Sequence, residues 1–211
     1  MHIPSHFKIE DPLIIDQFIQ DHGFATLISQ GSPYPLATHI PLELETLPSG
    51  IQILHGHMSK SNPQWTYFAG HPFVLAVFMS PVHQYISSSW YRHANVSTWN
   101  YLSVQVSGRI RLIEGEKLKE ALRRLTHKYE KHSEQPLEFD QLPPSVQNQM
   151  RGVAGFEIEI EKKEASFKLS QNRNEEDFAN IIRELRKKGN PEADKMAELM
   201  IAAAQSKSNH V

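Results

Sequence analysis

Two hydrophobic periods alternate along the chain. Leu13, Ile14, Ile15, Phe18 and Ile19 recur at helical spacing behind Asp11 and Pro12 and stop at Gly23, which predicts a helix over 11–22 with an N-cap, a first-turn proline and a terminator. At Phe24 the period falls to two. FATLIS at 24–29 and LATHIPLEL at 36–44 flank a turn in which Pro33 and Pro35 exclude a central strand, so the pair reads as a β-hairpin. After the turn Leu47–Gly50, IQILHGH at 51–57 and FVLAVFM at 73–79 read as strands, and Asn62-Pro63 opens a short helix between them that ends near Gly70. HQYISSSW at 83–90 alternates weakly, whereas TWNYLSVQVSGRIRLI at 98–113 alternates strongly and gives the longest strand, with Gly108 as a bulge or bend. Leu118, Leu122 and Leu125 mark an amphipathic helix over 115–132, followed by a short helix near 144–151. Period two returns in GFEIEIEKKEASFKLS at 155–170. Two helices close the chain, one capped by Asn174 with Phe178, Ile181, Ile182 and Leu185 on one face, the other opening at Asn190-Pro191 with Met196, Leu199, Met200 and Ala203.

Six or seven strands broken only by short helices imply an antiparallel sheet, closed or half-closed into a barrel with peripheral helices. At 211 residues the chain can close one substantial core, and 39% apolar with 22% charged residues is ordinary globular composition. No stretch has the roughly 18 consecutive apolar residues of a membrane span, and the start lacks the basic-then-apolar layout of a signal peptide, so a cytoplasmic protein with no membrane role is expected. The absence of cysteine excludes disulfides, thiolate nucleophiles, zinc fingers and iron–sulfur clusters. With 22 basic against 24 acidic side chains the net charge is −2, so affinity for nucleic acid would require a local basic patch.

Three segments concentrate polar chemistry. HGHMSKSNPQW at 55–65 leaves a strand and enters a helix; Lys60 between Ser59 and Ser61 offers a phosphate a point charge and hydroxyl donors, although a polar strand-to-helix loop has the same composition. His55 and His57 fall on one strand face, and His39 or His71 could add a third metal ligand, but no fixed zinc signature is present. YISSSWYRHANVSTWNY at 85–101 carries two Trp, three Tyr and four Ser; it could wall a flat ring ligand or simply fill a barrel end. KLSQNR at 168–173 places Lys168, Gln171 and Arg173 just before a helix, which suits anion recognition as well as a solvated strand end. Hydrolase and nucleotide-loop signatures such as Gly-x-Ser-x-Gly, His-Glu-x-x-His and Gly-x-Gly-x-x-Gly are absent.

Taken in order, Ile3-Pro4-Ser5-His6-Phe7, ATHIPL at 37–42, GHMSKSNPQW at 56–65, YISSSWY at 85–91, STWNY at 97–101, GFEIEI at 155–160 and FKLSQNR at 167–173 resemble the PaiB-type family, the FMN-binding negative transcriptional regulators of protease synthesis and sporulation. The resemblance runs from residue 1 to about residue 188. It implies a split β-barrel of the pyridoxamine-phosphate-oxidase-like and flavin-reductase-like kind, acting as a homodimer with FMN between subunits. It further implies a barrel domain over 1–173 and a C-terminal helical hairpin over 174–211 packed on the barrel or dimer seam. By the same resemblance Ser59, Lys60 and Ser61 grip the cofactor phosphate, Thr38, His39, His57 and Met58 face the ring system, Gln105 approaches the flavin edge, and Lys168, Gln171 and Arg173 reach across the dimer or close the groove.

Two functional classes follow. In the first, FMN is the ligand or redox sensor of a repressor that meets DNA directly or through a partner protein. The basic cluster Arg183, Arg186, Lys187 and Lys188 precedes a helix opening with Pro191, Glu192 and Asp194, acids that a recognition helix would bring against phosphates, so the hairpin is expected to pack rather than read DNA. In the second, the protein is an FMN-dependent oxidoreductase of the flavin reductase or oxidase type, with His39 and His57 as proton donors; the missing substrate-phosphate arginines weigh against turnover. A haem in the groove, on His39, His57 or His210, is a third arrangement.

Overall fold

The structure, a computed structural model, describes residues 1–208. In chain order its elements are β1 (Lys8–Ile9), α1 (Pro12–Asp21), β2 (Phe24–Ser29), β3 (Leu36–Pro41), β4 (Glu43–Thr46), β5 (Gln52–Ser59), β6 (Phe73–Met79), β7 (Gln84–Ile86), β8 (Thr98–Ile113), α2 (Gly115–Glu130), α3 (Pro144–Gln147), β9 (Val153–Lys168), α4 (Glu175–Lys187) and α5 (Pro191–Ser208). The described residues divide into two compact units, one made of residues 16–78 and 105–163, the other of residues 1–15, 79–104 and 164–208. No helix among the described residues is long and apolar enough to cross a membrane.

In the first unit the strand order is β3-β2-β6-β8-β9-β5-β4, and the registered pairs are antiparallel. Alternate residues point inward, and Leu27, Ala76, Val106, Leu54, Phe156 and Ile158 are almost entirely buried. Phe68, from the turn after β5, meets Phe156 edge-on at 5.7 Å between ring centroids. Gly108 is required by close approach rather than by a bend: a Cβ there would lie 2.3 Å from Glu159 O. The strand expected over 36–44 is split. Pro41 has no N–H to extend the ladder, Leu42 N–H closes it on Gly23 O at 2.8 Å, and β4 turns away to pair with β5.

α2 is tied to the sheet by charge as well as by buried Leu118. Glu157, 1% exposed on β9, accepts from Lys117 Nζ at 2.9 Å and Arg111 Nε at 3.0 Å, while His55 on β5 bonds Glu45, which pairs with Arg124 at 2.6 Å. Burial pushes the Glu157 carboxyl up, but hydrogen bonds from Lys117 and Arg111 outweigh it and hold the group below its ordinary value.

In the second unit β1 pairs with β9 and β7 with β8, with Tyr85 opposite Trp99. The strand expected over 83–90 is cut to three residues, because Ser87 Oγ accepts from Ser89 N–H at 3.3 Å and starts a 3-10 turn over Ser88–Trp90. Asn174 caps α4 by accepting from Asp177 N–H at 2.8 Å. Asp177, fully buried, accepts from Arg92 N–H at 2.8 Å, and Asn180 Nδ2 donates to Trp90 O at 2.7 Å, so α4 holds the serine-rich loop. α5 buries Ala193, Met196, Ala197 and Met200 and exposes Glu192 and Asp194.

Candidate functional site

The loop after β5 presents Ser59, Lys60 and Ser61 to solvent. Its backbone is already committed. Lys60 N–H donates to Gly152 O at 2.8 Å, Ser61 N–H to Ser59 Oγ at 3.2 Å, Asn62 N–H to Ser59 O at 2.9 Å, and Gln64 N–H to Asn62 Oδ1 at 2.9 Å. These backbone N–H groups are therefore not free to meet an anion, and its recognition falls to side chains. The bond from Lys60 to Gly152 brings the segment before β9 alongside the loop, and with it Arg151. Lys60 and Arg151 line one groove of about 470 Å³, together with Trp65, Leu112, Met150 and the first turn of α2. Trp65 Nε1 donates to Lys60 O at 3.1 Å, which fixes the indole beside the loop. Neither cation is in an ion pair among the described residues, and Glu114 is the one acid on the same lining, so the groove carries two cations and one carboxylate against an apolar wall. Its volume lies within the roughly 300–1,000 Å³ of small-molecule sites.

The remaining predicted contacts in this unit divide by strand face. Thr38 points inward: its hydroxyl donates to Gln64 Oε1 and accepts from Asn62 Nδ2 at 2.8 Å. Gln64, 1% exposed, also donates to Leu27 O at 3.1 Å and Ser29 Oγ at 3.0 Å, so it bolts the loop helix to the β2–β3 hairpin. His39, next in sequence to Thr38, points outward, its Nδ1 2.9 Å from Thr26 Oγ1 and its ring stacked 6.5 Å from Phe24. Gln105 alternates with buried Val104 and Val106 and also takes an outward position. Met58 is buried in the core, and half-buried His57 lies beneath α2 beside Leu118, Ala121 and Leu122. Burial lowers the His57 pKa, keeping the imidazole neutral near pH 7. No group of three or more His, Asp or Glu among the described residues could hold a metal ion. His210 lies outside the described residues.

The second unit contains the other three predicted contacts. Gln171 is occupied by its own strand end, accepting from Leu169 N–H at 2.7 Å and donating to Phe167 O. Lys168 donates to Thr98 Oγ1 and sits 5.5 Å over the Phe7 ring; burial and then the charge of Arg173 lower its pKa. Arg173 lies 4.5 Å over Tyr91.

An antiparallel sheet of this order, with a cationic groove beside the β5 loop, has the split-barrel fold. The sequence matches the family described as "Putative FMN-binding domain" over residues 1–162, and the chain belongs to that family, which makes FMN its cofactor. It is 41% identical over 201 residues to "Protease synthase and sporulation protein PAI 2" of Bacillus subtilis, covering 95% of this chain and 96% of the relative. The flavocytochrome Anf3 of Azotobacter vinelandii shares the fold at 19% identity and a TM-score of 0.64, over 84% of this chain and 78% of that one. A FAD- and heme-binding protein of Mycobacterium smegmatis does so at 16% identity and a TM-score of 0.61, over 82% and 78%. The residues of the groove suit FMN: a phosphate needs cations not already in ion pairs, which Lys60 and Arg151 supply, and a flat ring needs apolar contact.

Proposed function

We propose that the chain is an FMN-binding negative regulator of transcription, acting in the control of protease synthesis and sporulation, as the name and 41% identity of its Bacillus relative support. It works in the cytoplasm as a homodimer. The observation that carries the cofactor reading is the pair of unpaired cations, Lys60 and Arg151, on one groove. They hold the FMN phosphate with the Ser59 and Ser61 hydroxyls. The homodimer reading is supported by the outer face of β3, β2 and β6, where Phe24 and Phe73 are 69% and 61% exposed and Ile28, Leu75 and Val77 are only half-covered. His39 and Gln105, the predicted ring contacts, belong to outward positions of the same sheet, where a second subunit would enclose them. FMN supplies one- or two-electron chemistry when bound; here it serves as the sensed ligand. The exposed acids at the start of α5 oppose its insertion into a DNA groove, so repression runs through another surface or a partner protein.

The test is a titration with FMN and with riboflavin, which lacks the phosphate, followed by flavin fluorescence. Lys60→Ala and Arg151→Ala should each weaken FMN binding by about tenfold or more, from the roughly 1.5–3 kcal/mol of a charge-assisted contact, and leave riboflavin binding nearly unchanged. Equal binding of FMN to wild type and both variants would refute the phosphate assignment. Val77→Asp should convert a dimer to monomer by light scattering; a monomeric wild type at micromolar concentration removes the dimer.

A further inference from the structure

The end of β9 and the C-terminal hairpin form a second cavity, in the other unit. Where β9 ends, Ser170 has φ +61°, the only non-glycine residue with a left-handed backbone among the described residues. Such a conformation is unfavourable for a residue with a side chain and persists where its surroundings impose it. Here Asn100, fully buried, donates to Ser170 Oγ at 2.9 Å. The turn that follows places Arg173 and Glu175 on the wall of a cleft of about 210 Å³, whose apolar lining is Leu169, Phe178, Met200 and Ala203. Arg173 Nε is buried without a hydrogen-bond partner. No acid pairs with Arg173, and no base pairs with Glu175, among the described residues. Two unpaired opposite charges, two residues apart, therefore share one small apolar cleft. A cavity of roughly 150 Å³ holds benzene, so this one takes a body of that size with a polar head.

We propose that this cleft binds a free α-amino acid with an apolar side chain, its carboxylate on Arg173, its ammonium on Glu175 and its side chain against Phe178, Met200 and Ala203. A guanidinium matches a carboxylate bidentately, and Arg173, in no ion pair, presents its exposed part to the cleft. The carboxylate of Glu175 supplies the counter-charge that a simple organic acid would leave unmet. The cleft shares no lining residue with the groove of Lys60 and Arg151, although Arg173 is also one of the cofactor contacts the family resemblance implies, so the riboflavin and FMN titration of the Lys60 and Arg151 variants and the amino-acid titration test the two sites separately.

Isothermal titration of the full chain with L-leucine tests this, with 4-methylpentanoate as the analogue lacking the ammonium and leucinamide as the analogue lacking the carboxylate. L-leucine is expected to bind, leucinamide about tenfold or more weaker, and 4-methylpentanoate several-fold weaker. Arg173→Gln should abolish binding. Because Arg173 also stacks on Tyr91, Ala203→Phe provides an independent block that fills the cleft without touching the charges, and it should abolish binding as well. Glu175→Gln should bring L-leucine down to the affinity of 4-methylpentanoate. Absence of binding by L-leucine, L-methionine and L-phenylalanine at millimolar concentration overturns the proposal, as does 4-methylpentanoate binding as tightly as L-leucine, or retention of binding in Ala203→Phe.

Discussion

Gln64 offers the sharpest test of how the loop carrying Lys60 is held. Its side chain, almost fully buried, donates to Leu27 O and Ser29 Oγ at 3.1 and 3.0 Å and accepts from the Thr38 hydroxyl. Gln64→Leu keeps the volume and removes four hydrogen bonds, the fourth a longer one of 3.3 Å to Leu36 O that shares the two amide protons; at about 1 kcal/mol net for each well-formed bond, the loss is about 3–4 kcal/mol. That is a large part of the roughly 5–15 kcal/mol by which domains are stable. Thr38→Val removes the shared bond and the one from Asn62, so it should cost about 2 kcal/mol. Since one bond is common to both variants, the double variant should fall short of the sum by about 1 kcal/mol. Urea unfolding of the four proteins, with equal m-values, measures each quantity. A Gln64→Leu loss below about 1 kcal/mol, or strict additivity, would refute the bolt. FMN affinity should fall alongside stability in Gln64→Leu, because the same side chain fixes the turn that presents Lys60.

Two further outcomes follow from packing and charge. Gly108→Ala drives a methyl to 2.3 Å from Glu159 O and 2.8 Å from Ile158 Cγ2, backbone and core of β9, so it should destabilise by about 3 kcal/mol in thermal or urea unfolding; a change within experimental error means β8 and β9 are not so closely apposed. Glu157 has a folded pKa held below the unfolded value of about 4.3, so its contribution is fully present above that pH and is lost as pH falls through the lowered value. Glu157→Gln should flatten the acid limb of the stability–pH curve, and an unchanged limb would remove the Lys117–Glu157–Arg111 cluster as its cause.

The elements readable from the sequence are those whose pattern answers to a single constraint. β6 begins and ends with the apolar run 73–79 and β8 with the alternation 98–113, because one face of each is buried over most of its length. Asn62, Asn174 and Asn190 also accept the capping bonds their positions suggest, from Gln64, Asp177 and Ala193. The break between β3 and β4 was less legible, since Pro41 and Leu42 fit the alternation of their neighbours and only the missing proline donor shows that the ladder must end.

The site divides along the same line. Lys60 is legible because its chemistry is local: a cation between two hydroxyls. Thr38 and His39, or His57 and Met58, are adjacent in sequence and share one motif each, yet period two sends the members of each pair to opposite faces, so a motif quoted as a block overstates what one ligand can touch. Arg151 gave no signal, because QNQMRG has no period and no motif. Its place is fixed by a single long-range bond, Lys60 N–H to Gly152 O, across some ninety residues of chain. That bond exists only because β5 and β9 are neighbours, with Ser59 opposite Val153. The second cation of the groove is thus a consequence of strand order rather than of sequence pattern, and any chain that kept the β5 motif but lost the β5–β9 pairing would retain Lys60 without the charge that completes it.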